Sequence, residues 1–359
     1  MKKIDWYIFR NFIYTFVYCI ILFTAISVVV DFSEKTDDFV KVNLSFKQVI
    51  QVYYLGFIPY IVAFLFPLFT FIAVIFFTSR LANRSEIIAI LASGTSFNRF
   101  LKPYLVGGFM LAIVLWAGNR KLVPWANGIR TNFEATYVNT PGKYSNYNDL
   151  YMRVDSFTYC GIRYYDTVSK SGNGFFMDRL IGTQVVYNLR ADNLIWDTTR
   201  KMWKLVTVTE RTIDGLHEYL KKDTVMRMNF NFSPEDLKRD EFVKNRLTTK
   251  ALKRLIRLEE LRGSEGINDL KVELYRRDAT PVTVIILTMI GAILASRRIR
   301  GGSGIHLAVG IIIASSFILF DRFSTIFSSK GNLPPLMAAW IPNILFGLLT
   351  YYLYRKAPK

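Results

Sequence analysis

Six stretches of the chain carry no Asp, Glu, Lys or Arg: residues 11–30, 52–79, 103–119, 279–296, 301–320 and 331–354. A helix needs about 20 residues, at about 1.5 Å of rise each, to cross a hydrocarbon layer of about 30 Å. Each stretch is close to that length, so the pattern predicts six transmembrane helices. Between the third and fourth stretches lie 159 residues in which uncharged runs are short, and this segment reads as a water-exposed insert. The predicted fold class is therefore an α-helical membrane protein of six transmembrane helices, with an extracytoplasmic all-β, jellyroll-like domain inserted between helices 3 and 4. Three regions follow: 1–118, with helices 1–3 and a cytoplasmic helix near 84–94; 119–278, the β-domain and a helical connector; and 279–359, with helices 4–6.

The chain has 46 Lys and Arg against 28 Asp and Glu, a net charge of +18. Residues 119–278 hold 28 basic and 21 acidic residues, so the insert contributes +7 and the membrane part the remaining +11. In the membrane part the basic residues cluster in alternate short segments: Lys2, Lys3 and Arg10; Arg80, Arg84, Arg99 and Lys102; Arg297, Arg298 and Arg300; Arg355, Lys356 and Lys359. Positive charge is retained on the cytoplasmic side of short loops. Both termini are thus expected in the cytoplasm and the insert outside, and the high pI has a topological origin that implies no nucleic acid. Cys19 lies in an apolar run and Cys160 in the insert, so no disulfide is expected.

In the insert, "LYMRVDSFTY", "GTQVVYNLRADNLIWD", "KMWKLVTVTERTI" and "TVMRMNFNF" alternate with a period of two and are rich in Val, Thr, Tyr, Phe and Trp. "SKSGNG" and "IDG" read as turns between strands, and Trp196 and Trp203 as core. Ser233 and Pro234 suit a helix start, and "TKALKRLIRLEELR" and "INDLKVELYRR" read as helices leading into the fourth span.

Chemistry-bearing motifs are sparse. No nucleotide-binding Gly-rich lysine loop occurs; "RGGSGIH" reads as a tight turn between two spans. Only His217 and His306 are present, which disfavours zinc and histidine acid–base catalysis, and Glu259, Glu260 and Glu265 read as a solvated helix face. No metal, cofactor or catalytic residue is expected. A membrane enzyme and a structural or partner-binding β-domain protein are the rival classes; the first would need a convergent carboxylate or His/Ser constellation that the insert lacks. The loop "SRLANRSEIIAILASGTSFNRFLKP" stands apart. Ser85 suits a helix cap and Gly94 its end. Between them Ile87, Ile88, Ile90 and Leu91 form an apolar face behind Arg84 and Glu86, a knob that a cytosolic partner could grip.

That loop, "ELYRRDATPVTVIILTMIGAILASRRIR" and "LPPLMAAWIPNILFGLL" together resemble the LptF/LptG (YjgP/YjgQ) permease subunits of the lipopolysaccharide export transporter, with tail motifs closer to LptG. The resemblance implies a non-catalytic inner-membrane subunit of an ABC transporter that extracts lipopolysaccharide. It implies as partners a cytosolic ATPase dimer, a second permease subunit and periplasmic β-jellyroll bridge proteins. It assigns ATPase coupling to Arg84, Ser85, Glu86, Ile87, Ile90, Leu91 and Gly94, with Glu86 as the acidic residue of the docking helix. Lys35 and Lys41 match its lipid-phosphate contacts. If lipid leaves through the β-domain, the alternating set Val185, Tyr187 and Leu189 is the expected lining, and Gln184, Val186 and Asn188 the outer face.

Overall fold

A computed structural model of the chain describes residues 3–41, 45–134, 137, 146–215, 217–234, 237, 243–262, 266–297 and 303–357. These fall into two compact units. The first comprises Met1–Phe133, Lys244–Lys253 and Asn268–Lys359, and the second Glu134–Val243 and Arg254–Ile267.

The first unit is helical. α1 spans Lys3–Lys41; α2 (Phe46–Val49) passes through a π-helical turn at Ile50–Tyr54 into α3 (Leu55–Asn83); α4 (Glu86–Ala92), α5 (Phe97–Arg120) and α6 (Leu122–Phe133) follow. After the insert come α7 (Val243–Arg246), α8 (Thr249–Arg262), α9 (Ile267–Ala295), α10 (Ser303–Lys330) and α11 (Pro335–Lys356), of which Val243, residues 254–262 of α8 and Ile267 fall in the second unit. Six of the helices are long and apolar enough to cross a membrane among the described residues, as expected. Two overrun their uncharged cores. α1 continues through the acidic stretch to Lys41 and α10 carries Asp321 and Arg322 inside the helix, where loops are the sequence expectation. Neither continuation contains Gly or Pro, and Asp31 and Lys35 stand one turn apart as an ion pair at 3.8 Å.

α3 and α9 form the centre: 56% and 61% of their most apolar windows are buried, against 17% for α1, 22% for α10 and 28% for α11. Phe12, Phe69, Tyr104 and Val284 join α1, α3, α5 and α9 in one cluster. Phe71, Ile75, Leu287, Ala314 and Phe346 join α3, α9, α10 and α11 in another. Lipid tails are as apolar as leucine, so membrane helices associate through close packing and interhelical hydrogen bonds. Both are present. A Cβ on Gly56 would lie 2.4 Å from the Ala126 carbonyl oxygen, so only glycine admits α6 against α3 there. Thr78 donates to the Tyr104 hydroxyl at 2.9 Å; Thr283 donates to Asn343 Oδ1 at 2.8 Å, while Asn343 Nδ2 donates to the Ala279 carbonyl at 2.9 Å.

The second unit holds an antiparallel sheet with strands in sequence order: β1 (Asn146–Arg153), β2 (Thr158–Asp166), β3 (Ser171–Ile181), β4 (Gln184–Asp197), β5 (Met202–Asp214) and β6 (His217–Met228). The all-β insert is present, with two local differences. "SKSGNG" is only half a turn, because Ser171 to Asn173 already pair with β4 or β2. No helix starts at Ser233 or Pro234; residues 235–236 and 238–242 lie outside the described residues, and the next helix begins at Val243. Tight turns are held by carboxylates. Asp155 accepts from Phe157 N at 2.8 Å and Asp166 from Val168 N at 2.9 Å. The Phe157 N–H holds the Asp155 carboxyl below the usual carboxylate range, and the Ser169 hydroxyl, with the Val168 N–H, does the same for Asp166.

Strict alternation fails along one row. At Asp149, Arg163, Gly174, Asp192, Thr207 and Thr224 every ladder skips a pair and then resumes the same register. Alternate members of the row, Asp149, Gly174 and Thr207, have φ of 52°, 67° and 57°. A left-handed residue changes the side-chain phase by one position. Leu205 and Val208, three apart across Thr207, are therefore both buried in one core, and Ile162 and Tyr165, like Ala191 and Leu194, share that spacing across the skipped Arg163 and Asp192. Trp203 is its centre, fully buried, 4.9 Å from the Trp196 ring and donating Nε1–H to the Phe232 carbonyl at 2.9 Å.

Gly56→Val should lower stability in detergent by about 1–3 kcal/mol, the usual cost of forcing atoms into a packed contact, whereas Gly128→Ala, whose Cβ would meet nothing within 4 Å, should not. In the sheet, Thr207→Gly should stabilise by about 1 kcal/mol by relieving a left-handed β-branched residue. Gly174→Ala should destabilise by a similar amount, because its Cβ would also lie 3.0 Å from Arg163 Cβ. Thermal or denaturant unfolding of the four variants checks both signs.

Candidate functional site

α4 owes its isolation to two left-handed residues. Ser85, at φ 60°, turns the chain out of α3, and Gly94, at φ 81°, closes the helix with its N–H on the Leu91 carbonyl at 3.1 Å. Ser85 occupies the cap position without a side-chain cap bond, so its role is conformational rather than the side-chain capping expected. Gly94 ends the helix as expected.

The seven-residue helix is amphipathic in an unequal way. Ile87 is 2% exposed and belongs to the bundle core, with Ile90 and Leu91 packed against it. These three anchor α4 to its own subunit. Ile88, 53% exposed, Ala89 and Ala92 make up the open face. Glu86 lies at the edge between the two faces. Its carboxylate accepts from the Tyr7 hydroxyl at 3.3 Å and stands 4.0 Å from the exposed Arg84 guanidinium. Nearby, Arg99 Nε pairs with the buried Asp5 carboxylate at 3.8 Å, and Tyr354 donates to Asn98 Oδ1 at 2.5 Å. Arg297 donates to the Lys356 carbonyl at 2.6 Å. The ends of α1, α4, α5, α9 and α11 are thus tied into one polar collar. Tyr7, Asp5 and Arg99 are absent from the sequence-derived site, and Ile88, read there as part of the apolar face, is missing from the coupling set that the resemblance implies; Tyr7 and Asp5 are remote from the loop, and only folding brings them to it.

The other expected site residues sit elsewhere. Lys35 is 19% exposed and engaged inside the first unit: its ammonium donates to the Tyr53 hydroxyl and pairs with Asp31, and Tyr53 donates to Asp31 Oδ1 at 2.9 Å. Tyr53 lies in the π-helical turn. The side chain of Lys41 lies outside the described residues. In β4, Leu189 is fully buried, Tyr187 is half-buried and Val185 is 36% exposed, so this face runs from the core toward the β3–β4 turn. Tyr187 donates to Glu210 at 3.1 Å, and burial, reinforced by that carboxylate, pushes its phenol up to about 12. On the opposite set Gln184 is exposed, and Asn188 bonds Asp178. Residues 300–302 of "RGGSGIH" lie outside the described residues. No group of three His, Cys, Asp or Glu side chains among the described residues is placed to hold a metal.

A family model described as "Lipopolysaccharide export system permease LptF/LptG" matches residues 6–356, which include the collar apart from Asp5, the six candidate spans apart from the first residues of α1, and the sheet. It describes LptF and LptG jointly, so the leaning toward LptG rests on the tail motifs alone. No curated protein matches the chain.

A double-mutant cycle tests the collar. Asp5→Asn with Arg99→Gln should show a coupling of about 1 kcal/mol, because Asp5 is largely shielded. Tyr7→Phe with Glu86→Gln should show about 0.5 kcal/mol, as solvent weakens that pair. Unfolding measurements giving no coupling in either cycle would mean the contacts do not hold the helix ends together.

Proposed function

The chain belongs to the LptF/LptG family of lipopolysaccharide export permeases, and we propose that it is one non-catalytic transmembrane half of an ABC transporter that extracts lipopolysaccharide from the inner membrane toward a periplasmic bridge. The observation that carries this reading is α4: a short helix with an open apolar face and an acidic edge, bonded through Glu86 to Tyr7 of α1, whose end is tied in turn to α5 and, through α5, to α11. A chain whose sequence has no nucleotide loop needs such a handle for an ATPase made elsewhere.

In this mechanism a cytosolic ATPase dimer grips Ile88 and Glu86. Its closure moves α4 as a rigid piece, since Ile87, Ile90 and Leu91 lock it to the bundle. The displacement reaches α1 through Tyr7 and α5 through the short Gly94 to Ser96 link. α1, α10 and α11 bury the least surface within the subunit, which suits a second permease subunit and a lipid cavity beside them. The cytoplasmic placement of both termini follows from the basic clusters. Lys35 and Lys41 would face the cargo's phosphates only after Lys35 leaves Asp31 and Tyr53. The Val185, Tyr187 and Leu189 face would then offer the apolar wall that acyl chains need, each exposed CH₂ costing about 0.8 kcal/mol.

Glu86→Lys should leave the protein inserted and lower recovery of the bound ATPase at least tenfold, since hydrogen bonds to charged groups contribute roughly 1.5–3 kcal/mol. Ile88→Asp should do the same without touching the collar. Unchanged ATPase recovery and unchanged lipopolysaccharide-stimulated hydrolysis in both variants would overturn the assignment.

A further inference from the structure

α3, α9, α10 and α11 enclose a slot of about 70 Å³ inside the first unit. By the measure in which one water needs about 10–15 Å³, it has room on the order of five water molecules. Its floor is apolar, formed by Leu68, Leu287, Ala314 and Phe317, and its mouth lies between Phe64 and Ile318, 41% and 40% exposed. Polar groups at the floor, Thr283 and Asn343, are already bonded to each other and to the Ala279 carbonyl, so they leave little demand for water.

The rim carries charge. Arg276 pairs with Asp321 across α9 and α10 at 2.7 Å, an arrangement that neutralises both in a low-dielectric surrounding. Arg322 is exposed, lies 5.4 Å from the centre of the Phe64 ring and makes no ion pair among the described residues. The rim of Arg276, Asp321 and Arg322 therefore has a net charge of one positive unit, set beside the opening between Phe64 and Ile318.

We propose that this slot binds a single acyl chain of an anionic phospholipid, with the phosphodiester held by Arg322. The single rim charge matches one phosphodiester, and the second acyl chain remains in the bilayer outside Phe64 and Ile318. An apolar slot open to lipid has no other filler in a bilayer, and Arg322 supplies the headgroup preference. The proposal requires no transport cycle and stands apart from the export reading.

The test uses the full chain in phosphatidylcholine nanodiscs. These are doped with phosphatidylglycerol or, separately, phosphatidylcholine, each carrying a diazirine on one acyl chain. After photolysis, label is expected on Leu68, Leu287 and Phe317, about fivefold more from phosphatidylglycerol, the gain one basic residue gives at an anionic headgroup. Arg322→Gln should bring the two lipids level, and Ala314→Trp, which fills the floor, should remove label from both. Unlabelled phosphatidylglycerol should compete. Equal labelling in the wild type, a preference unchanged in Arg322→Gln, or displacement by lipopolysaccharide but not by phosphatidylglycerol would overturn the proposal.

Discussion

Hydrocarbon offers the backbone no hydrogen-bonding partner, and it rewards leucine on the lipid side as much as leucine inside the protein. The first constraint makes every span a helix; the second removes the hydrophobic force that would rank those helices. What ranks them here is contact and polarity. Gly56 lets α6 lie on α3, and the Thr283–Asn343 and Thr78–Tyr104 pairs bind α9 to α11 and α3 to α5. α3 and α9 become central for that reason, although α1 has a hydropathy close to theirs or higher.

The collar at the α4 end follows from the same arrangement. Because α3 and α5 are fixed in the bundle, the thirteen residues from Arg84 to Ser96 must return the chain to it, and the left-handed Ser85 makes the first turn possible. Three of the four bulky apolar side chains of α4 are spent on anchoring, leaving Ile88 and the Glu86 edge outward. A helix held this firmly transmits displacement rather than absorbing it, as the proposed coupling role requires.

The sheet shows a different economy. A single row of skipped pairs crosses all six strands, three of its members are left-handed, and residues three apart across it in β2, β4 and β5 share one buried core. Without it, Leu205 and Val208 would point to opposite sides, and the core around Trp203 would be divided.

The number of spans, their place in the chain, the β character of the insert, the helices at 249–262 and 267–295, and the α4 segment were legible in the residues, because runs free of charge, alternation and punctuation by Gly are local properties. Family membership was legible as well, through motifs that extend over most of the chain. The ends of α1 and α10, the skipped row and the left-handed Thr207 were not, since a period-two reading has no term for a residue that changes phase without an insertion. Nor could the residues alone decide which faces of α4 are inward, that Lys35 is committed to Asp31 and Tyr53, or that Tyr7 and Asp5 join a site some eighty residues away. Those are consequences of which helices touch. In lipid that choice depends on small residues and buried polar pairs meeting across space, information that exists only once the chain is folded.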